Sequence, residues 1–157
     1  MNAPFATGDE IVSLGELPHS LGFMLRVAQI ASFEHFFRAF EGTDVKPGEF
    51  TVIWVIGLNP GLRQGTLART LHIKPAHMTK LIQRMVRDGL VKRMVPPEDR
   101  RSVQLSLTPA GAAYLDRYRQ NFLDVHAAEK VGLTEEDRAQ LLTLLSKLAF
   151  KEAPECP

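Results

Sequence analysis

Between residues 66 and 111 the chain reads TLARTLHIKPAHMTKLIQRMVRDGLVKRMVPPEDRRSVQLSLTPAG, an order of patterns that few folds accommodate. Thr66 is expected to cap a short helix through Leu71, and His72-Ile73-Lys74 to turn the chain into a second. Over 75–88, Met78, Leu81, Ile82, Met85 and Val86 follow i, i+3, i+4, i+7, i+8 spacing, which makes one helix face apolar. The other face carries Ala76, His77, Lys80, Gln83, Arg84 and Arg87, and Gly89 supplies the usual C-terminal stop. Residues 90–95 and 102–107 alternate or are rich in β-branched side chains. Pro96-Pro97-Glu98-Asp99-Arg100-Arg101 joins them as the loop of a β-hairpin, its prolines discouraging edge pairing. A helix-turn-helix places side chains in the DNA major groove, and a basic hairpin beside it reaches the neighbouring minor groove.

Charge distribution supports the same reading. The net charge is only +1, yet no acidic residue occurs between Phe50 and Arg87. Residues 63–101 hold ten basic and three acidic side chains, +7, which leaves −6 for the rest of the chain. A local positive field on an otherwise acidic scaffold suits a phosphate-binding module. The plainer alternative is a solvated basic face.

The flanks read as helical. The pattern over 17–41 includes Leu21, Phe23, Met24, Val27, Ile30, Phe33, Phe36, Phe37 and Phe40, more apolar surface than one stripe. Gly42-Thr43-Asp44 breaks it, and Lys46-Pro47-Gly48-Glu49 opens a helix to Leu58 that stops at Asn59-Pro60-Gly61. After the hairpin, Thr108-Pro109 begins a long helix expected to reach Lys130, and Thr134 caps a last one, with Asp137 completing its box imperfectly. The leucines at 141, 142, 144, 145 and 148 again exceed a single stripe. Surplus apolar surface at both ends is most simply buried against a second copy of the chain; the alternative is one larger core. Residues 1–16 lack periodicity and are expected to form a flexible arm.

The segment Arg93 to Gly111, with its basic hairpin, Asp99-Arg100-Arg101, Leu107-Thr108 and Gly111 in order, resembles the MarR (multiple antibiotic resistance regulator) family of winged-helix transcription factors. The likeness extends over residues 17–150. It implies a mainly α fold with a small β-hairpin wing, and a division into an arm (1–16), an N-terminal dimerisation helix (17–44), a winged helix-turn-helix (45–108), C-terminal dimerisation helices (109–150) and a tail (151–157). By resemblance, the helix at 75–88 is the recognition helix. Ala76, His77, Thr79 and Lys80 then face bases and flanking phosphates, while Arg84 and Arg87 face phosphate or solvent. Lys80 suits guanine acceptors, and Ala76 or the Thr79 methyl suits thymine methyls. Arg63 and Gln64, which precede the short helix, are expected to contact backbone phosphate. Lys74 stands where the family often has a Ser or Thr cap, so a phosphate contact replaces the capping bond. Arg101 is the wing residue inserted in the minor groove, Asp99 its orienting partner and Arg100 a phosphate contact, with the two arginine roles exchangeable. The alternative for Asp99 and Arg101 is a loop-stabilising pair.

Many relatives bind aromatic carboxylates or their thioesters, which makes His19, Ser20, Phe23, Arg26 and Trp54 the candidate effector residues. The blander reading, favoured here, gives Arg26 to an intersubunit salt bridge and Phe23 and Trp54 to packing. The expectation is therefore a homodimeric, ligand-responsive repressor on a pseudo-palindromic operator. The alternative is a winged-helix protein-interaction module without ligand response. No G-x-G-x-x-G, P-loop or G-x-S-x-G occurs, so no enzyme and no cofactor are expected. The five histidines show no paired metal spacing, and the one cysteine, Cys156, forms no internal disulfide. With no basic, apolar leader and no apolar run near the ~20 residues of a membrane span, a cytoplasmic location is expected.

Overall fold

The computed structural model describes residues 5–7, 10–97 and 102–150. Among them are two short strands in the segment expected to be an arm: β1 (Phe5–Thr7) pairs antiparallel with β2 (Glu10–Val12). A 3-10 turn at Leu17–His19 leads into α1 (Leu21–Ala39), so the first long helix starts later than its apolar pattern does. Pro18 favours the tight turn by fixing its own φ.

Pro47 occupies the first turn of α2 (Pro47–Leu58), where its missing N–H costs nothing. This helix is apolar nearly all round, and Phe50, Val52, Ile53 and Ile56 are buried. It lies centrally, against the helix at Pro109–Asp124 and the small sheet. Gly61, at φ +84°, turns the chain into a strand the sequence pattern did not reveal, β3 (Leu62–Arg63). With β4 (Val91–Met94) and β5 (Gln104–Leu107) it forms an antiparallel sheet of order β3-β5-β4. Leu62 faces Leu105, and Val91 faces Leu107.

The helix-turn-helix consists of α3 (Gln64–Thr70) and α4 (Pro75–Arg87). Thr66 lies inside α3 rather than at its cap; Arg63 is the N-cap residue and makes no side-chain cap bond, while the Thr66 hydroxyl accepts a bond from Arg69. Edge pairing of β3 carries the chain straight into α3, which moves its start upstream. His72, at φ +52°, makes the turn, and the Ile73 N–H reaches back to the Ala68 carbonyl at 2.9 Å. Gly89 at φ +73° closes α4: its N–H bonds the Val86 carbonyl, and the Leu90 N–H bonds the Met85 carbonyl. Of the apolar face of α4, Met78, Leu81, Ile82 and Met85 are buried, each contributing about 1.5–3 kcal/mol. Val86 stays exposed.

These side chains join Val52, Ile53, Ile56, Leu67, Val91 and Leu105 in one core, against which Tyr114 and Leu115 also pack. The first half of α5 (Pro109–Asp124) therefore belongs to the winged-helix core. A second, largely aromatic cluster joins Phe36, Phe40, Val45, Phe50 and Val125 with Trp54, Tyr118 and Phe122. It fastens α1 to α5.

The long helix expected to reach Lys130 ends at Asp124. Nothing local stops it; tertiary contacts do. Val125 is drawn into the aromatic cluster, His126 Nε2 lies 3.1 Å from the Ser32 carbonyl oxygen, and Arg138 Nε donates to the His126 carbonyl at 3.1 Å. A short α6 (Ala128–Val131) follows, then Gly132 in left-handed geometry, then α7 (Glu135–Ala149). The cap of α7 is a complete capping box: Thr134 Oγ1 accepts from the Asp137 N–H, and Asp137 Oδ2 accepts from the Thr134 N–H. The Thr134 hydroxyl also donates to Asp137 Oδ2 at 2.7 Å, and this bond, then the one from the Thr134 N–H, stabilises the ionised carboxylate and holds the Asp137 pKa below its ordinary value.

Candidate nucleic-acid interface

The N-terminal half of α4 stands out from the core. Burial of Met78 on one side turns Lys74, Ala76, His77 and Lys80 to solvent on the other. Lys74 is the N-cap residue and its side chain makes no cap bond, as its departure from Ser or Thr implies. The free N–H groups of this first turn, beside Lys74 and Lys80, form a local anion-attracting surface. Arg63 and Arg69 are exposed beside it, and Lys92 and Arg93 are exposed on β4. The wing-tip residues Asp99, Arg100 and Arg101 lie outside the described residues.

Several residues of the candidate set have internal partners. Thr79 is half-buried; its hydroxyl donates to the Pro75 carbonyl at 3.0 Å and accepts from Gln64 Nε2 at 3.2 Å, which leaves its methyl as the part available for contact. Gln64 is bound on both sides, since its backbone N–H also donates to the Val103 carbonyl at 2.8 Å, at the base of β5. It thus ties the wing stem to α4 and is no free phosphate ligand at its amide nitrogen. Arg84, expected to face phosphate or solvent, pairs instead with Glu49 of α2. That partner was invisible in the sequence because 35 residues separate the two.

The candidate effector residues are dispersed. His19, Ser20 and Arg26 are exposed, and half-buried Phe23 belongs to neither apolar cluster. Trp54 sits edge-on to Phe50 and Phe122, with centroids 5.8 and 5.7 Å away. Arg119 of α5, which sequence reasoning passed over, lies 5.3 Å from the centroid of the Trp54 ring, in cation–π range. Its placement three residues before Phe122, on one face of α5, was the available signal. A cavity of about 550 Å³ opens elsewhere, between His35 and Arg38 of α1 and the α5–α6 corner at Asn121, Asp124 and Lys130. No candidate effector residue lines it.

The sequence profile of the MarR family matches residues 45–103, the segment running from just before α2 to just before β5. A protein described as a transcriptional regulator for the hcr operon of Thauera aromatica is 33% identical over 144 residues, covering 91% of this chain and 86% of the relative. The chain belongs to the MarR family. As a MarR protein it is a winged-helix, DNA-binding transcriptional regulator and not an enzyme. The Homoprotocatechuate degradative operon repressor of Escherichia coli is 27% identical over 128 residues, with 82% of this chain and 86% of that one aligned. Among solved structures, the transcriptional repressor CouR bound to a 23-mer DNA duplex superposes with a TM-score of 0.81 and 31% identity, covering 88% of this chain and 99% of CouR. Among the described residues, no group of three or more His, Cys, Asp or Glu is placed to hold a metal ion. None of the described helices is long and apolar enough to cross a membrane.

Proposed function

We propose that this MarR-family regulator is a homodimeric cytoplasmic repressor that leaves a pseudo-palindromic operator when an aromatic carboxylate or its thioester binds. The observation that carries the dimer is the state of α7. None of its residues is buried, and Leu141, Leu142, Leu144, Leu145 and Leu148 are all exposed. Leu21, Met24, Ile30, Phe33 and Phe37 of α1 are exposed as well. Helices this apolar are not left in water, and a twofold copy of the same faces covers both. Twofold symmetry then sets two recognition helices on half-sites about one DNA turn apart.

On that scaffold, Lys74, Ala76, His77 and Lys80 read and grip the major groove, assisted by the Thr79 methyl, while Asp99, Arg100 and Arg101 act from the wing tip. The effector class draws support from the relatives, one of which is named as a repressor of a homoprotocatechuate degradative operon. Trp54 with Arg119 offers an aromatic face and a cation together, suited to an aromatic acid. In the proposed dimer, His19 and Ser20 approach this site from the turn before α1, and Phe23 and Arg26 from α1, of either protomer.

Binding to the intergenic duplex beside the gene, followed by fluorescence anisotropy, tests the reading. Tight binding that weakens steeply with salt and is reversed by aromatic acids or their thioesters is expected. Because Trp54 is the only tryptophan, its emission reports effector binding directly. Operator binding indifferent to every such compound, with unchanged Trp54 emission, overturns the effector assignment.

A further inference from the structure

The exposed stripe of α4 contains Lys80, Arg84 and Arg87 at i, i+4 and i+7, so Arg84 stands midway along the face that begins with the DNA-facing first turn. Its guanidinium is nevertheless half-buried and bonded through Nη2 to Glu49, whose side chain is only 20% exposed. Arg84 Nε is buried and has no partner, so the group is drawn inward by that one carboxylate. Glu49 also has Lys46 at 3.7 Å. Among the described ion pairs, Glu49 is the only acid from another element that engages the recognition helix. The second tie on this helix, Gln64 to Thr79, is neutral and acts near its N-terminus.

We infer that Glu49 is a positioning residue for DNA recognition: it holds Arg84 off the phosphate backbone and pins the C-terminal half of α4 to α2. This builds on the DNA-binding activity of the family and on the placement of α4 as recognition helix. The consequence is a limit on sequence-independent affinity. An arginine free on that stripe adds a phosphate contact, which strengthens binding to every sequence alike, whereas base contacts alone separate operator from bulk DNA. By neutralising Arg84, Glu49 keeps non-specific affinity low, and by fixing the helix it keeps Lys80 and His77 in register.

The test measures log affinity against log salt for the operator and for a random duplex, using the parent, Glu49→Gln, and the double variant Glu49→Gln/Arg84→Gln. Glu49→Gln should steepen both slopes by about 0.9, so that the affinity lost between 50 and 200 mM salt grows roughly 3- to 4-fold. The added phosphate contact leaves the ratio of operator to random affinity unchanged, but the loosened helix should lower it by taking Lys80 and His77 out of register. The double variant removes a neutral pair and should return both slopes to the parent values. Three results overturn the inference: unchanged slopes in Glu49→Gln, steepening that persists in the double variant and so comes from Lys46, or a double variant whose slope falls by about 0.9. The last shows Arg84 already on phosphate, and it decides the matter even if Glu49→Gln alone does not fold. A parent that binds no duplex fails at the DNA-binding assignment instead, which keeps the two failures distinct.

Discussion

Gly111 is the position where one methyl group should do most harm. It lies in the first turn of α5, buried against the wing stem, and a Cβ there would come within 2.9 Å of the Leu90 carbonyl carbon and closer still to its oxygen. Backbone cannot swing aside as a side chain can, so α5 and the Leu90 strand end must part. That movement strains two bonds: the Thr108 N–H to the Leu90 carbonyl, 3.0 Å, and the Thr108 hydroxyl to the Gly89 carbonyl, 2.6 Å. Overpacking costs about 1–3 kcal/mol, and each weakened bond about 0.5–1.5 kcal/mol. Alanine regains up to about 1 kcal/mol of helix propensity. Gly111→Ala should therefore destabilise by about 3 kcal/mol, or roughly 6–12 °C in Tm for a chain of this length. Two other glycines calibrate the estimate. At Gly22 nothing lies within 4 Å of a Cβ, so Gly22→Ala should be neutral or slightly stabilising. At Gly57 the Cβ would meet Leu115 Cδ2 at 2.8 Å and Leu107 Cδ1 at 3.0 Å, both flexible side-chain ends, so the loss should be intermediate. Thermal and urea melts at one fixed protein concentration measure the series, because the association proposed above would otherwise shift Tm. A Gly111→Ala protein that melts at or above the parent temperature refutes the reasoning.

Other consequences are as direct. Lys80→Ala should cost about 1–3 kcal/mol of operator affinity and relax preference at one base pair, whereas Arg101→Ala should weaken binding while leaving the dimer intact; selection from randomised duplexes with anisotropy titrations separates them. Replacing Leu145 and Leu148 together with Asp should leave the helical spectrum intact, since both are exposed in the protomer, yet yield monomers by light scattering; persistent dimers count against α7 as the interface. The Tyr114 pKa is pushed up to about 12, first by burial and then by the charges of Tyr118, Glu49 and Asp44. A folded-state pKa raised in this way makes stability decline as pH climbs from about 10 towards 12, and Tyr114→Phe should flatten that decline.

Much of the interface was legible because it depends on short-range periodicity. Met78, Leu81, Ile82 and Met85 fall on one face by spacing alone, so the exposure of His77 and Lys80 follows from arithmetic. Gly89 and Pro47 announce helix ends through their own backbone preferences. The partner of Arg84 was not legible for the converse reason: its spacing is that of a surface residue, and only the approach of α2 supplies Glu49. Strand β3, with two residues, is too short to show alternation and exists because β5 offers a free edge. The end of α5 at Asp124 carries no breaker and depends on Ser32, 94 residues from His126.

The Thr66 to Gly111 order by itself determined that this chain builds a helix-turn-helix with a basic wing, because helix period, turn chemistry and strand alternation are local properties. Tertiary structure alone decided which described cations of that stretch are paired. Charge pairing depends on distance through space, and a carboxylate from α2 reaches Arg84 while none of the described ion pairs reaches Lys80. It also decided that the apolar surplus of α1 and α7 is not absorbed within one chain, since burial is a property of the packed whole and no count of leucines reveals which face remains uncovered.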